Sequence, residues 1–166
     1  ITGVILANIY AQFNSTKLTP PPKTDSWLVK RAVSGQVLEI QSSRNPKAKI
    51  ERVVLAGVNS PLSDQQPWGS MARQYLNDLL KDKQVKLVFD GESMDISERP
   101  LVYVWLGDRL INREVIVEGY GLAQRLTTNS GYQAQLDAAQ TKARLLEIGI
   151  WNLDKPMRQT PRGFRR

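Results

Sequence analysis

The sequence predicts an α+β fold in which a small five-stranded barrel carries about three packed helices. Short apolar or alternating stretches, typical of β-strands, recur along the chain. One amphipathic helical pattern interrupts them after the third strand, and two more follow the fifth. Five short strands interrupted by a helix are typical of an OB-type barrel, a common platform for nucleic acids and oligosaccharides. The fold alone does not decide the function.

Each strand is predicted from its side-chain pattern. The third is a mostly apolar, β-branched run, typical of a strand buried on both faces. The first two are separated by a Ser34-Gly35 turn, and the fifth ends at Gly107-Asp108. The five predicted strands are residues 27–33, 37–41, 50–58, 84–89 and 101–106.

Three helical patterns accompany the strands. The first begins at Pro67, a residue favoured in the first turn of a helix. The second covers residues 111–118 and ends at Gly119, and the third covers residues 132–147 and stops at Gly149. The residues expected to face the core are Met71, Ala72, Tyr75, Leu76, Leu79 and Leu80 in the first helix, and Leu136, Ala139, Ala143 and Leu146 in the third.

Composition narrows the possible chemistry. The 166 residues include no Cys and no His, which excludes thiol nucleophiles, imidazole bases, disulfides and the usual zinc sites. The net charge of +7 would suggest a nucleic-acid partner. However, five basic residues lie in the last twelve, and removing them from the 23 leaves 18 basic against 16 acidic residues. The basic character therefore belongs mostly to the C-terminus.

The chain divides into four regions. Residues 1–13 are apolar and uncharged, and they are shorter than the ~20 residues that cross a bilayer. We interpret them as the end of a single membrane anchor, with a signal-segment remnant or an amphipathic docking segment as alternatives. The lysines that follow favour a cytoplasmic domain. The other regions are a Pro-rich linker (14–26), the globular domain (27–153) and a basic disordered tail (154–166), whose interaction candidates are Arg158, Arg162, Arg165 and Arg166.

Three stretches resemble the staphylococcal nuclease (thermonuclease) family. They are PWGSMARQYLNDLL, VYVWLGDRLINREVIVEGYGLA and QLDAAQTKARLLEIGIWN, and the resemblance runs from about Val33 to Asn152. It implies calcium-dependent cleavage of phosphodiester bonds in DNA and RNA. In the family, two aspartates hold the calcium, a glutamate deprotonates or orients water, and two arginines hold the phosphate. A threonine assists.

Most of these positions are replaced in this sequence. A family turn resembling Asp-Gly-Asp-Thr reads SGQV here, so Gln36 stands at the metal aspartate. A second signature resembling Arg-Leu-x-Gly-Ile-Asp-x-Pro-Glu reads VLAGVNSPL. There Val54 replaces the first arginine and Asn59 replaces the second aspartate. Ser60 occupies the threonine position, and Leu62 replaces the glutamate.

Only the second phosphate arginine of the family is retained, as Arg99. It ends the stretch DISER, which resembles the family's Asp-x-Tyr-Gly-Arg, and Glu98, Asp95 or a backbone carbonyl is its expected partner. Arg52 lies two residues before Val54, which displaces it by roughly 6–7 Å along the strand, too far for the same contact. Asp64 is not expected to substitute for the glutamate either.

The sequence therefore predicts a domain without catalytic residues, without a metal ligand set and without a cofactor. The calcium site is expected to be lost, because amide oxygens carry no charge and calcium affinity follows ligand charge. Losing a general base costs about 10²–10⁴-fold in rate. The first hypothesis is an interaction or assembly module with a protein partner, such as a membrane protein complex. The alternatives are a nucleic-acid binder that lost cleavage, for which a near-neutral domain predicts weak or no binding, and a calcium-dependent nuclease with unusual residues.

Overall fold

The computed structural model describes residues 23–127 and 131–165. Eight strands are formed there: β1 (Ser26–Ala32), β2 (Val37–Ser42), β3 (Glu51–Leu55), β4 (Val58–Asn59), β5 (Gln84–Met94), β6 (Pro100–Leu106), β7 (Arg109–Leu110) and β8 (Leu122–Ala123). The helices of the same residues are α1 (Trp68–Leu80), α2 (Ile111–Val117), α3 (Gln133–Leu145) and α4 (Pro161–Phe164), with a 3₁₀ turn at Gly149–Trp151.

The main sheet closes into a barrel. Its hydrogen-bonded order is β3-β2-β1-β5-β6-β7, with antiparallel neighbours throughout. The two ends meet because β3 also pairs with β6, in parallel, with Val54 opposite Leu101 and Leu55 opposite Val102. Strands β4 and β8 form a separate small ladder. The predicted α+β fold, a five-stranded barrel with packed helices, is confirmed.

The core fills the barrel and extends under α1, α2 and α3. Trp105 is fully buried, and the stripe of α1 that faces the barrel consists of Ala72, Leu76 and Leu80. Two predicted core residues were wrong. Met71 is 42% exposed, because it lies beside the buried stripe rather than on it, and Leu146 is 52% exposed, because α3 has ended one residue earlier.

The third strand is shorter than the β-branched run predicts. Strand β3 ends at Leu55, and its first two residues are exposed rather than buried on both faces. The chain reverses at Gly57, which has a positive φ of 70°. A Cβ there would lie 2.4 Å from a methyl carbon of Leu136, so only glycine fits this close approach. After the reversal, Val58 and Asn59 form β4, and Ser60 lies against the β1–β2 turn.

One buried side chain ties three parts of the fold together. Asn112, at the start of α2, is fully buried. Its Nδ2 donates to the carbonyl oxygens of Ala56 and Val102, both at 2.9 Å. Its Oδ1 accepts the N–H of Val104 at 2.8 Å. A single amide therefore joins α2 to β6 and to the reversal that follows β3.

The C-terminal segment differs from the predicted disordered tail. The N–H of Met157 donates to the carbonyl oxygen of Ile150 at 2.9 Å, and the Gln65 amide donates to the carbonyl oxygen of Gln159 at 2.7 Å. Thr160 caps α4 by accepting the N–H of Gly163, and Pro161 is buried. These contacts give the segment a defined path along the domain. The tail arginines Arg158, Arg162 and Arg165 are exposed on it, and Arg166 lies outside the described residues.

The N-terminal anchor is not tested by the structure. The apolar segment 1–13 and most of the linker lie outside the described residues. Within residues 23–127 and 131–165, no helix is long and apolar enough to cross a bilayer.

Candidate functional site

A hydrogen bond joins Gln36, at the position of one of the family's metal aspartates, to the backbone of Ser60, which follows the position of the other. Gln36, in the β1–β2 turn, accepts the backbone N–H of Ser60 on its Oε1 at 2.7 Å. Its backbone carbonyl accepts the N–H of Leu55 at 2.8 Å. The turn lies close to Ala72 of α1, since a Cβ at Gly35 would be only 2.6 Å from the Cβ of Ala72. The absence of a side chain at Gly35 permits this approach. The structure thus places the Gln36 side chain against the Asn59-Ser60 loop, where its neutral amide joins two loops.

Neither Val54 nor Leu62 offers a polar group to this site. Val54 is buried and lies opposite Val37 on one side and Leu101 on the other. Leu62 is half-buried, and its backbone N–H donates to Oε1 of Gln65 at 3.3 Å. The backbone N–H of Gln65 returns a bond to the carbonyl oxygen of Leu62 at 2.9 Å. Backbone and amide groups hold this loop together at the point where the family has its glutamate.

The retained arginine is held by a neighbouring carboxylate. Arg99 donates from Nε to Oδ2 of Asp95 at 2.9 Å and makes a second, shorter contact from Nη2. Although partial burial would raise the pKa of Asp95, hydrogen bonds from the Arg99 side chain and from the backbone N–H groups of Arg99 and Ser97 lower it overall. Of the three partners expected for Arg99, the structure selects Asp95. The guanidinium is thereby engaged within its own hairpin.

Arg52 and Asp64, the two possible substitutes for the replaced arginine and glutamate, were also located in the structure. Arg52 lies opposite Glu39 in the β2–β3 ladder and binds its carboxylate at 2.9 Å. Arg31 binds the same carboxylate from the other side at 2.6 Å. Hydrogen bonds from these two arginines lower the pKa of Glu39. Asp64 is exposed in its loop. Neither Arg52 nor Asp64 is shown in a position that would restore the site.

The residues at these positions do not fit a calcium ion. Calcium prefers several oxygen ligands, and its affinity rises with their negative charge. The amide oxygen of Gln36 already accepts a backbone N–H, and position 59 carries a neutral amide. Throughout residues 23–127 and 131–165, no group of three His, Cys, Asp or Glu side chains is arranged to hold a metal ion. We therefore derive no metal-dependent step for this site.

Comparison with known proteins identifies the family. Residues 52–153 match the model of the family described as staphylococcal nuclease homologue. The chain belongs to this family. It is 33% identical over 132 residues to the thermonuclease of Staphylococcus intermedius, a match that covers 76% of each chain. It is 27% identical over 132 residues to the thermonuclease of Staphylococcus hyicus, again covering 76% of each.

The chain is also similar to an uncharacterized protein of Methanocaldococcus jannaschii. It is 29% identical over 121 residues, which cover 69% of this chain and 56% of that protein. The family is a nuclease family, and two of these relatives are named as enzymes. The sequence resemblance, the family match and the barrel therefore agree on the ancestry of this domain.

Sequence reasoning missed Gln65, whose hydrogen bonds hold the loop that contains Leu62. Gln65 is a buried polar residue, and its amide joins the backbone of Leu62 to that of Gln159. Its partner Gln159 lies 94 residues away in the chain. A glutamine in a polar loop has no pattern that distinguishes it from exposed neighbours, so no signal in the sequence pointed to this role.

Proposed function

We propose that this staphylococcal nuclease homologue is a non-catalytic domain that serves as an interaction or assembly module. The observation that carries the proposal is the bond from the Ser60 N–H to Oε1 of Gln36. In this bond, the side chain at the position of the family's metal aspartate links two loops of the domain. A site built in this way stabilises the domain instead of binding a cation.

The chemistry of phosphodiester cleavage explains why the replacements matter. The reaction needs a base for the attacking water and positive charge against the phosphate as negative charge grows in the transition state. Leu62 cannot accept a proton, and Val54 carries no charge. Arg99 is paired with Asp95. A transition-state arginine contributes about 10³–10⁵-fold in phosphoryl transfer, so one engaged arginine leaves little of the family's catalytic power.

The surface of the β5–β6 hairpin supports an interaction role. Three large apolar side chains are exposed on it: Phe89, Met94 and Ile96, the last 93% exposed. The same hairpin carries Arg99 and its Asp95 partner. Exposed apolar side chains grouped on one element are typical of surfaces that contact other proteins. We propose a protein partner, such as a component of a membrane complex, for this domain.

Incubation of the full chain with single-stranded DNA or RNA and calcium should give no cleavage above the no-protein background. The physical reason is that the positions of the metal ligands and the base carry neutral groups. The measurement is the appearance of shortened, end-labelled oligonucleotide with time. Arg99→Ala is the matched control, because it removes the one retained side chain that corresponds to the family's phosphate-binding arginines. Calcium-dependent cleavage that falls in Arg99→Ala would contradict the proposal and restore the nuclease hypothesis.

Deleting residues 1–13 should move the protein from the membrane pellet to the supernatant after cell fractionation. The expected change follows from removing the uncharged apolar segment, while the domain itself is left whole. A variant with Arg158, Arg162, Arg165 and Arg166 changed to Gln serves as control, since it keeps the apolar segment and removes the basic one. If this control is released and the deletion is not, the proposed N-terminal attachment is wrong.

A further inference from the structure

A cationic groove lies between the first strand and the first helix. It has a volume of about 310 Å³, at the lower end of the range typical for small-ligand pockets. Strand β1 contributes Lys30 and Arg31, helix α1 contributes Arg73, and Lys81 follows the last residue of α1. None of the described residues that line it is acidic. We call this feature the β1–α1 groove, and it shares no residue with the degenerate nuclease positions.

Among the residues that the structure describes, most of the positive charge in the β1–α1 groove is not taken up by ion pairs. Arg31 is neutralised by Glu39. The ion pairs formed within residues 23–127 and 131–165 do not include Lys30, Arg73 or Lys81. Three cations therefore line one cavity without a carboxylate partner in the described part of the chain. Mutual repulsion of such cations opposes their clustering, and an anionic ligand would relieve it.

The polar residue between the helix cations also favours an anion. Asn77 lines the groove, and its Oδ1 already accepts the backbone N–H of Ala32 at 3.0 Å. With Oδ1 held by the Ala32 N–H, Asn77 can offer the N–H donors of its Nδ2 to a ligand in the groove. Asn77 lies four residues after Arg73 and four before Lys81, which directly follows the last residue of α1, so the three lie along one side of the helix and its C-terminal end. Two cations with a donor between them form a row of donors along the helix.

The length of this row indicates the class of ligand. Arg73 and Lys81 are separated by eight residues, which is roughly 12 Å along a helix axis at 1.5 Å per residue. An extended anion can therefore contact more members of the row at once than a single carboxylate or phosphate can. Guanidinium and ammonium groups are the usual partners of phosphate oxygens. We propose that the β1–α1 groove binds a small ligand that carries more than one phosphate group, either a soluble phosphate ester or the phosphorylated headgroup of a lipid.

Calorimetric titration of the full chain with inorganic tripolyphosphate tests this proposal. Tripolyphosphate should bind more tightly than inorganic phosphate, because only the longer anion contacts several members of the row. The double variant Arg73→Gln/Lys81→Gln should weaken tripolyphosphate binding by about tenfold or more, as two charge-assisted contacts are lost. Circular dichroism would show that the variant retains the fold.

Lys47→Gln/Lys49→Gln is the matched control, since it removes the same charge from exposed positions of the β2–β3 loop. Retained binding in this control supports the groove, whereas equal weakening in both variants, or no tripolyphosphate binding by the wild type, would overturn it.

Flotation with phosphatidylcholine vesicles, with and without phosphatidylinositol bisphosphate, identifies whether the phosphate ligand is a lipid headgroup or a soluble ester. Binding to the phosphorylated vesicles that requires Arg73 and Lys81 indicates a lipid headgroup, and tripolyphosphate binding alone indicates a soluble ester. Tighter, groove-dependent binding of a single-stranded oligonucleotide would overturn the small-ligand assignment.

Discussion

Replacing Asn112 by Ala should lower the free energy of unfolding by about 3–5 kcal/mol, because a buried hydrogen-bonding group is deleted and a void remains. The side chain makes three hydrogen bonds, at 2.8 Å to the Val104 N–H and at 2.9 Å to the carbonyl oxygens of Ala56 and Val102. Alanine leaves the Val104 donor inside the fold without this partner. Denaturant titration followed by tryptophan fluorescence measures the loss.

Asn45→Ala is the control for this prediction. Asn45 also accepts a backbone N–H, that of Lys47 at 3.1 Å, but in an exposed loop where water replaces the lost bond. We expect a change within about 1 kcal/mol there. A similar small change for Asn112→Ala would show that the buried amide does not join α2 to the barrel in the way described.

Replacing Gly149 by Ala should destabilise the fold by about 3 kcal/mol or more, because two costs add: a left-handed backbone and a steric overlap. Gly149 has a φ of 59°, and a Cβ there would lie 2.2 Å from the carbonyl oxygen of Gly119. That carbonyl accepts the N–H of Ile150 at 2.9 Å, so the overlap falls on a backbone contact between the turn after α2 and the 3₁₀ turn at Gly149–Trp151. Thermal unfolding followed by circular dichroism would measure the shift.

Gly107→Ala separates these two costs. Gly107 has a nearly identical φ of 61°, but a Cβ there meets no atom within 4 Å. This variant should lose only the backbone part, about 1–2 kcal/mol. Equal destabilisation by both substitutions would mean that the close packing of Gly119 against Gly149 contributes nothing measurable.

The elements of the fold were predictable because their signals are local. Helix α1 follows Pro67 and shows its buried stripe in the spacing of Ala72, Leu76 and Leu80. Strands β2 and β6 lie within one or two residues of their predicted bounds, since alternation and apolar runs reflect the faces of a strand directly. The end of β3 was predicted too late, because a β-branched run continues past Gly57 while the backbone has already reversed.

For the candidate site, the sequence predicted which residues occupy the family's positions but not the contacts that they make. The family signatures assigned Gln36, Asn59 and Leu62 to positions of the family's active site from the sequence alone. The hydrogen-bond partners of the site residues could not be predicted from the sequence. The Gln36 bond to Ser60 spans 24 residues, and the choice of Asp95 over Glu98 for Arg99 depends on the shape of the hairpin.

By itself the sequence determined the strand and helix order, the family and the loss of charged groups at the nuclease positions, because each is written in residue identity and spacing. Only the tertiary structure decided the parallel closure of β3 on β6, the docking of the C-terminal segment through Gln65 and the meeting of Lys30 with Arg73 and Lys81 in one groove. The physical reason is that these contacts join residues far apart in the chain. Their formation depends on how the packed elements approach one another, and local periodicity carries no information on that approach.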